Sequence, residues 1–179
     1  MGVGAEIIAI EDTDSVGWVE SFTTLGEVTF QNLRGFVNNV IAALDGRTMS
    51  LLHIQVHGSP AGVWFGPDMV TDSNFSTFSA QLGRLTASFR AGAWVDLRAC
   101  DVGQNLPLLR LLHGLWGVGI VAGRGKQNNL FDANLGRYQL ITPRGDEDTS
   151  LFVPPWVEYD TGRRVTRAAT SRIANYFGL

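Results

Sequence analysis

The chain has 179 residues, of which 45% are hydrophobic and 17% charged, and its formal net charge is −3. This balance is typical of a globular protein, and the length suits a single domain, which we take as residues 1–179. The negative charge argues against nucleic acid or an anionic membrane as a partner, because both require clustered Lys and Arg. No apolar run is long enough to span a bilayer, and no signal peptide is evident. We therefore expect a cytoplasmic protein, or one exported without a conventional signal peptide, and no membrane insertion.

In the first half of the chain, apolar runs predict strands and apolar residues at helical spacing predict helices. Strands are predicted at residues 5–11, 27–30 and 50–56, and helices at 16–22 and 30–44. Asp45 and Gly46 end the second helix. His57 and Gly58 follow the third strand directly, and a small hairpin is predicted after them at 62–66 and 68–71.

The second half continues the alternation of strands and helices. Helices are predicted at 75–89, 106–116 and 165–176, and strands at 93–99, 117–122 and 138–142. Cys100 follows the strand 93–99 directly, and a glycine-rich polar loop begins at Gly123. This order predicts an α/β fold of three layers, in which a mostly parallel central sheet carries helices on both faces.

Cysteine and histidine usage limits the metal and disulfide chemistry of the chain. There are one cysteine and three histidines, so an internal disulfide and a cysteine-rich zinc site are both excluded. His53 and His113 are interpreted as structural residues, on a strand and within a helix of leucines. We expect no metal and no other cofactor.

His57 and Cys100 form the candidate reactive pair. Ligands of parallel α/β sheets bind at the carboxyl ends of the strands, and both residues follow such ends. A neighbouring imidazole can take the proton of a thiol, and the thiolate can then attack a carbonyl carbon. The N–H groups of Gly58 and Cys100 are candidate donors to the oxyanion. Gly103 is expected to allow a tight turn into the next helix, whose positive end would face the thiolate.

The order strand–His-Gly, then strand–Ala-Cys-x-x-Gly, resembles that of the caspase-like cysteine peptidases. The match lies in Val56-His57-Gly58-Ser59-Pro60 and in Ala99-Cys100-Asp101-Val102-Gly103. It is closest to bacterial caspase-like domains of uncharacterised function, among them a domain of unknown function found on large bacterial surface proteins and the CHAT domains. The resemblance implies a caspase-like fold and a cysteine endopeptidase that acts on a protein or peptide through a thioester acyl-enzyme. In it, His57 is the general base and acid, Cys100 is the nucleophile, and Gly58 and Cys100 form the oxyanion hole. Some relatives require an activating partner protein.

Arg98, Asp101 and Arg124 are the candidate substrate-binding residues. Strand alternation places Arg98 on the same face as Cys100. In the resembling families this position lines the pocket for the residue before the scissile bond, and an arginine there would favour an acidic or polar residue. The alternative is that Arg98 pairs internally with Asp96 or Asp101, or turns to solvent. The loop that contains Arg124 is expected to form another wall of the pocket.

Residues 145–148 form an acidic run that is predicted to lie in a loop. If the pocket selects acidic residues, this run becomes a candidate site of self-cleavage.

Two other functions remain open at the level of sequence. A catalytically degenerate caspase-fold module would use the same residues for binding or regulation, with its pocket closed by residues 62–72. An α/β-hydrolase with a cysteine nucleophile is disfavoured, because its elbow requires glycine where Arg98 stands and its histidine follows the nucleophile in the chain.

Overall fold

The computed structural model describes residues 5–11, 27–128, 133–134, 136–142 and 147–151. The helices predicted at 16–22 and 165–176 lie outside these residues. The described helices are α1 (Leu33–Leu44), α2 (Phe75–Gly83) and α3 (Leu106–Trp116), with short 3-10 turns at Thr86–Ser88 and Val102–Gln104. The described strands are β1 (Ala5–Glu11), β2 (Glu27–Phe30), β3 (Met49–Gln55), β4 (Gly58–Ser59), β5 (Gly62–Phe65), β6 (Asp68–Val70), β7 (Phe89–Arg98), β8 (Gly119–Gly123), β9 (Gln127–Asn128), β10 (Ala133–Asn134), β11 (Arg137–Ile141) and β12 (Glu147–Leu151).

The main sheet has the spatial order β12-β11-β8-β7-β3-β1-β2. Strands β2, β1, β3, β7 and β8 pair in parallel, whereas β11 is antiparallel to both β8 and β12. The prediction of an α/β fold with a mostly parallel sheet is therefore confirmed. The hairpin predicted after β3 is confirmed as β5 and β6, and β4 pairs with β5 to make a three-stranded antiparallel sheet.

The two faces of the main sheet differ in chemistry. Leu52 and Ile54 of β3 point to the face that carries the main hydrophobic core, where buried residues of α1, α2 and α3 pack. Because side chains alternate along a strand, His53 and Gln55 point to the opposite face, and both are buried. Within the described part of the chain, helices cover only the first face. The second helical layer of the sandwich was predicted partly from segments outside the described residues.

The ends of several elements differ from prediction, for local reasons. Phe30 belongs to β2, because Asn32 caps α1 by accepting a hydrogen bond from the N–H of Gly35. The other end of α1 is as predicted, since Asp45 adopts a left-handed conformation with φ of 47°. The predicted helix 75–89 stops at Gly83, and Phe89 begins β7. None of the described helices is long and apolar enough to cross a membrane.

The acidic run is not wholly a loop. Glu147 and Asp148 begin β12, where they pair with Ile141 and Leu140 of β11, while 145–146 lie outside the described residues. Pairing at the sheet edge satisfies their backbone groups, which explains why the polar sequence still forms a strand. Strand β12 runs in the same direction as β7, so these two residues lie towards the amino end of the sheet, away from Cys100. Self-cleavage within one folded chain is therefore not supported.

Candidate active site

His57 and Cys100 stand level with each other at the carboxyl edge of the sheet. The parallel register of β3 and β7 pairs Gln55 with Arg98, and the N–H of Val56 donates to the carbonyl of Arg98 at 3.3 Å. Continuing this register by two residues brings His57 beside Cys100. Val56 and Ala99, the residues that precede them, are both buried in the main hydrophobic core. The two strand ends that precede the predicted pair therefore meet at one edge of the sheet.

A close backbone contact fixes the two strand ends against each other. A Cβ built on Gly58 would lie 2.7 Å from the carbonyl oxygen of Cys100 and 3.1 Å from its nitrogen. Such distances leave room for glycine alone, so the absence of a side chain at Gly58 is what permits the approach. The two candidate oxyanion donors, the N–H groups of Gly58 and Cys100, therefore belong to backbone segments that lie against each other in space.

The small sheet leaves the N–H of Gly58 outside its hydrogen bonds. The N–H of Trp64 donates to the carbonyl of His57 at 2.9 Å, which makes these residues a hydrogen-bonded antiparallel pair. The next pair, Gly58 with Val63, is therefore a pair without hydrogen bonds, because the two kinds of pair alternate. The N–H of Gly58 points away from β5, as an oxyanion donor must.

The thiol and the imidazole are both accessible to solvent. His57 is exposed and Cys100 is half-buried. Among the described residues, the hydrogen bond to the sulfur of Cys100 comes from the backbone N–H of Gln127, at 3.3 Å, rather than from His57. Periodicity gives no indication of this contact, because Gln127 begins the two-residue strand β9 directly after the loop that follows β8.

The turn after Cys100 is built on Asp101 rather than on Gly103. Asp101 adopts a left-handed conformation with φ of 60°, and its N–H donates to the carbonyl of Gly125 at 2.7 Å. Gly103 has a different role, because a Cβ there would lie 2.5 Å from the carbonyl oxygen of Ala122. It lets the turn pack directly on β8.

The side chains of the turn hold the loop after β8, which we call the clasp loop (residues 124–127). Lys126 pairs with the carboxylate of Asp101. The side chain of Gln104 donates to the other oxygen of Asp101 and, at 2.9 Å, to the carbonyl of Arg124. The hydrogen bond and the charge of Asp101 raise the pKa of Lys126. Of the predicted substrate-binding residues, Asp101 thus braces the clasp loop, while Arg124 is exposed at the rim.

Arg98 makes the internal ion pair that was the alternative to a role in substrate binding. Its Nε lies 2.8 Å from Oδ2 of Asp96, and the residue is only 6% exposed. The same oxygen of Asp96 lies 2.8 Å from Nδ1 of His53, whose Nε2 lies 3.0 Å from Glu6. His53 is therefore a structural residue, as predicted. We call these four residues the buried polar cluster (Glu6, His53, Asp96 and Arg98).

The charges of this cluster determine the protonation of His53. Burial of the ring and the charge of Arg98 both lower the pKa of His53. Hydrogen bonds to Asp96 and Glu6, together with the charge of Asp96, outweigh them and raise the pKa above its usual value of 6.5. A protonated His53 can donate from both ring nitrogens, which suits two carboxylate partners.

Helix α3 begins at Leu106, and a 3-10 turn separates it from Cys100. The side chain of Asn105 caps it by accepting a hydrogen bond from the N–H of Leu108 at 3.0 Å. The positive end of α3 was expected to face the sulfur of Cys100. The N–H group that donates to this sulfur belongs instead to Gln127 of the clasp loop.

Glu11 is a residue of the site that the sequence analysis missed. It ends β1 and is only 2% exposed, and its carboxylate accepts the N–H of Gly66 at 3.0 Å and the N–H of His57 at 3.4 Å. It therefore links the histidine backbone to the small sheet. A buried strand that ends in a carboxylate was the available signal, since a buried acid requires donors.

Within the described residues, no group of three or more His, Cys, Asp or Glu side chains is arranged so that it could hold a metal ion. No curated protein and no solved structure significantly matches the chain. Residues 20–149 match the family model described as domain of unknown function DUF4347. This match covers most of the chain, including His57, Cys100 and the clasp loop, and we conclude that the chain belongs to the DUF4347 family.

Proposed function

We propose that this protein is a cysteine endopeptidase with a caspase-like fold, in which His57 and Cys100 are the catalytic residues. The observation that carries the proposal is the contact between Gly58 and the backbone of Cys100. It brings an exposed imidazole and the only thiol of the chain to one edge of the sheet, with two backbone amides beside them. These are the groups that acyl transfer to a thiol requires.

The reaction follows from these groups. His57 takes the proton of Cys100, and the thiolate attacks the carbonyl carbon of the scissile bond. The N–H groups of Gly58 and Cys100 bind the resulting oxyanion. His57 then donates its proton to the leaving amine, which forms a thioester. His57 next activates a water molecule, whose attack releases the second product and restores the thiol.

The preference for an acidic or polar residue before the scissile bond is retained, but we transfer its main determinant from Arg98 to Arg124. Arg98 is buried and its Nε is bound to Asp96. Arg124 is exposed at one end of the clasp loop, and Gln127 at its other end contacts the sulfur of Cys100. A surface guanidinium can pair with an incoming carboxylate without first breaking a buried ion pair.

A binding or regulatory module is the second candidate function. It is favoured by one observation: the sulfur of Cys100 is hydrogen-bonded to Gln127 rather than to His57. Catalytic hydrogen bonds in free enzymes are often formed only when substrate binds, so this observation is compatible with both functions. An α/β-hydrolase elbow is not supported, because the backbone strain falls on Asp101 instead of on Cys100.

A cysteine-directed probe and a peptide library test the proposal together. We expect labelling of Cys100 and hydrolysis of selected peptides by the wild type, and loss of both in Cys100→Ala. His57→Ala should reduce labelling and abolish hydrolysis, whereas His113→Ala, which removes a histidine of α3, should leave both largely intact. If candidate activating proteins are included and hydrolysis is still absent, with equal labelling of the wild type and His57→Ala, Cys100 is only an accessible thiol and the module is favoured.

A further inference from the structure

The clasp loop places a hydrogen-bond donor and a cation next to the candidate nucleophile. The backbone N–H of Gln127 lies 3.3 Å from the sulfur of Cys100. The preceding residue, Lys126, is bound to Asp101, which directly follows the cysteine. A hydrogen bond to sulfur and a nearby positive charge both favour the thiolate over the thiol.

Asp101 has the opposite effect on the same sulfur. Its carboxylate is the charge nearest to Cys100 in sequence, and a nearby negative charge disfavours the thiolate. It also holds the clasp loop in place, because its N–H and its carboxylate bind Gly125 and Lys126. Structural support and electrostatics therefore make opposite predictions for the loss of this carboxylate.

Other charged or titratable groups lie around the thiol within the described part of the chain. His57 stands at the end of β3, and Glu11 ends β1 beside it. Arg98 precedes the cysteine by two residues but is paired with Asp96, and Arg124 is exposed at the other end of the clasp loop. Lys126 is distinct because its ion pair is formed with the residue adjacent to Cys100.

We propose that Lys126 and the N–H of Gln127 stabilise the thiolate of Cys100, and that Asp101 limits this stabilisation while it holds the clasp loop. The inference rests on the proposed role of Cys100 as a nucleophile and adds the groups that set its reactivity. Lys126 is thus a positioning residue, whose positive charge stabilises the thiolate of Cys100. The side chain of Lys126 is also 70% exposed, so a substrate can approach it.

Alkylation of Cys100 by iodoacetamide, followed over a range of pH, measures the thiolate directly, because the chain has a single cysteine. We expect Lys126→Met to slow alkylation at neutral pH by roughly threefold and to move the midpoint of the pH–rate profile upwards. Lys126→Arg should restore the wild-type profile. Asp101→Asn should move the midpoint in the opposite direction and accelerate alkylation at neutral pH.

The controls separate charge from structure. Asp45→Asn makes the same substitution at the other non-glycine residue of positive φ in the described chain, and Arg90→Met removes a cation at the amino end of β7. Neither should move the midpoint. Salt at about 1 M should reduce the effect of Lys126→Met, since exposed charges are screened.

An upward shift or no shift in Asp101→Asn would overturn the inference, as would an unchanged midpoint in Lys126→Met. The proposed function is tested separately. The expected shifts without hydrolysis of any peptide would leave the inference standing and refute the peptidase. Hydrolysis that depends on His57, combined with unchanged midpoints, would support the peptidase and refute the inference about Lys126 and Asp101.

Discussion

At the scale of single residues, Gly58 is the position where the smallest change has the most direct effect on the site. An added Cβ would lie 2.7 Å from both the Cβ of Ala99 and the carbonyl oxygen of Cys100. Backbone cannot move aside as a flexible side chain can, so Gly58→Ala must separate the strand ends. We expect it to lower the free energy of unfolding by roughly 1–3 kcal/mol and to reduce His57-dependent labelling of Cys100.

Gly114→Ala is the matched control for this prediction. Gly114 lies within α3, and a Cβ there would meet nothing within 4 Å. Its free energy of unfolding should rise by up to about 1 kcal/mol, because alanine is the better helix former, and labelling should stay at the wild-type rate. Chemical unfolding and the labelling rate test both variants. Wild-type labelling in Gly58→Ala would show that the contact does not align the two residues.

The residues that sequence reasoning found and missed differ in how their positions are encoded. Alternation of side chains and an apolar run are sufficient to place His57 and Cys100 at strand ends on one edge. The contacts of Glu11 and Gln127 depend on where loops return to that edge, which periodicity does not encode. Arg98 shows the same limit: its face was predicted, but its bond to Asp96 depends on how the two side chains share that face.

At the scale of secondary-structure elements, Asn105 connects α3 to the small sheet that follows His57. Its side-chain oxygen caps the helix at Leu108, and its amide nitrogen donates to the carbonyl of Ala61 at 3.0 Å and to Asp72 at 3.2 Å. This side chain therefore holds both ends of the segment 61–72 against the start of α3, in addition to the contact of Glu11 with Gly66. This segment can therefore form part of the wall of the candidate pocket.

We expect Asn105→Asp to separate the two functions of this side chain. A carboxylate still caps the helix but faces the carboxylate of Asp72 and the carbonyl of Ala61, so it destabilises the contact with the small sheet. Asn105→Ala removes the cap as well and should cost roughly 0.5–2 kcal/mol or more. Thermal unfolding compares the two variants.

Adding Asp72→Asn to each Asn105 variant provides the control. It replaces the carboxylate of Asp72 by an amide, which can donate a hydrogen bond to the new carboxylate at position 105. It should restore much of the stability of Asn105→Asp and little of that of Asn105→Ala. Equal losses in the single and double variants would show that Asn105 and Asp72 are not coupled.

The ends of helices were predictable where the sequence contains a clear stop signal. The end of α1 at Asp45 and the span of α3 were predicted correctly, because Asp45-Gly46 and Trp116-Gly117 are strong stop signals. The helix predicted through Phe89 was wrong beyond Gly83, since the chain passes through a 3-10 turn and Phe89 enters a strand while still packing on Trp116. The aromatic residue stays near the helices, which is why its spacing imitated a longer helix.

At the scale of the whole molecule, the buried polar cluster joins the three adjacent strands β1, β3 and β7 through their side chains. It contains two carboxylates and Arg98, so the formal charges of these four side chains balance when His53 is protonated. Removing that proton leaves a net negative charge within a largely buried cluster, which is unfavourable. The sheet that positions His57 and Cys100 is thus stabilised by a group that titrates.

This balance predicts how stability depends on pH. The pKa of His53 is raised in the folded state, so its contribution is fully present below the unfolded value of 6.5 and is lost as pH rises through the raised pKa. Urea unfolding of the wild type and His53→Gln, from about pH 5 to about pH 9, measures this contribution as the difference between their free energies. The difference should be constant at the acidic end and shrink towards the alkaline end. A difference that is flat or grows with pH would contradict a protonated His53, because only loss of its proton makes the stabilisation disappear in that direction.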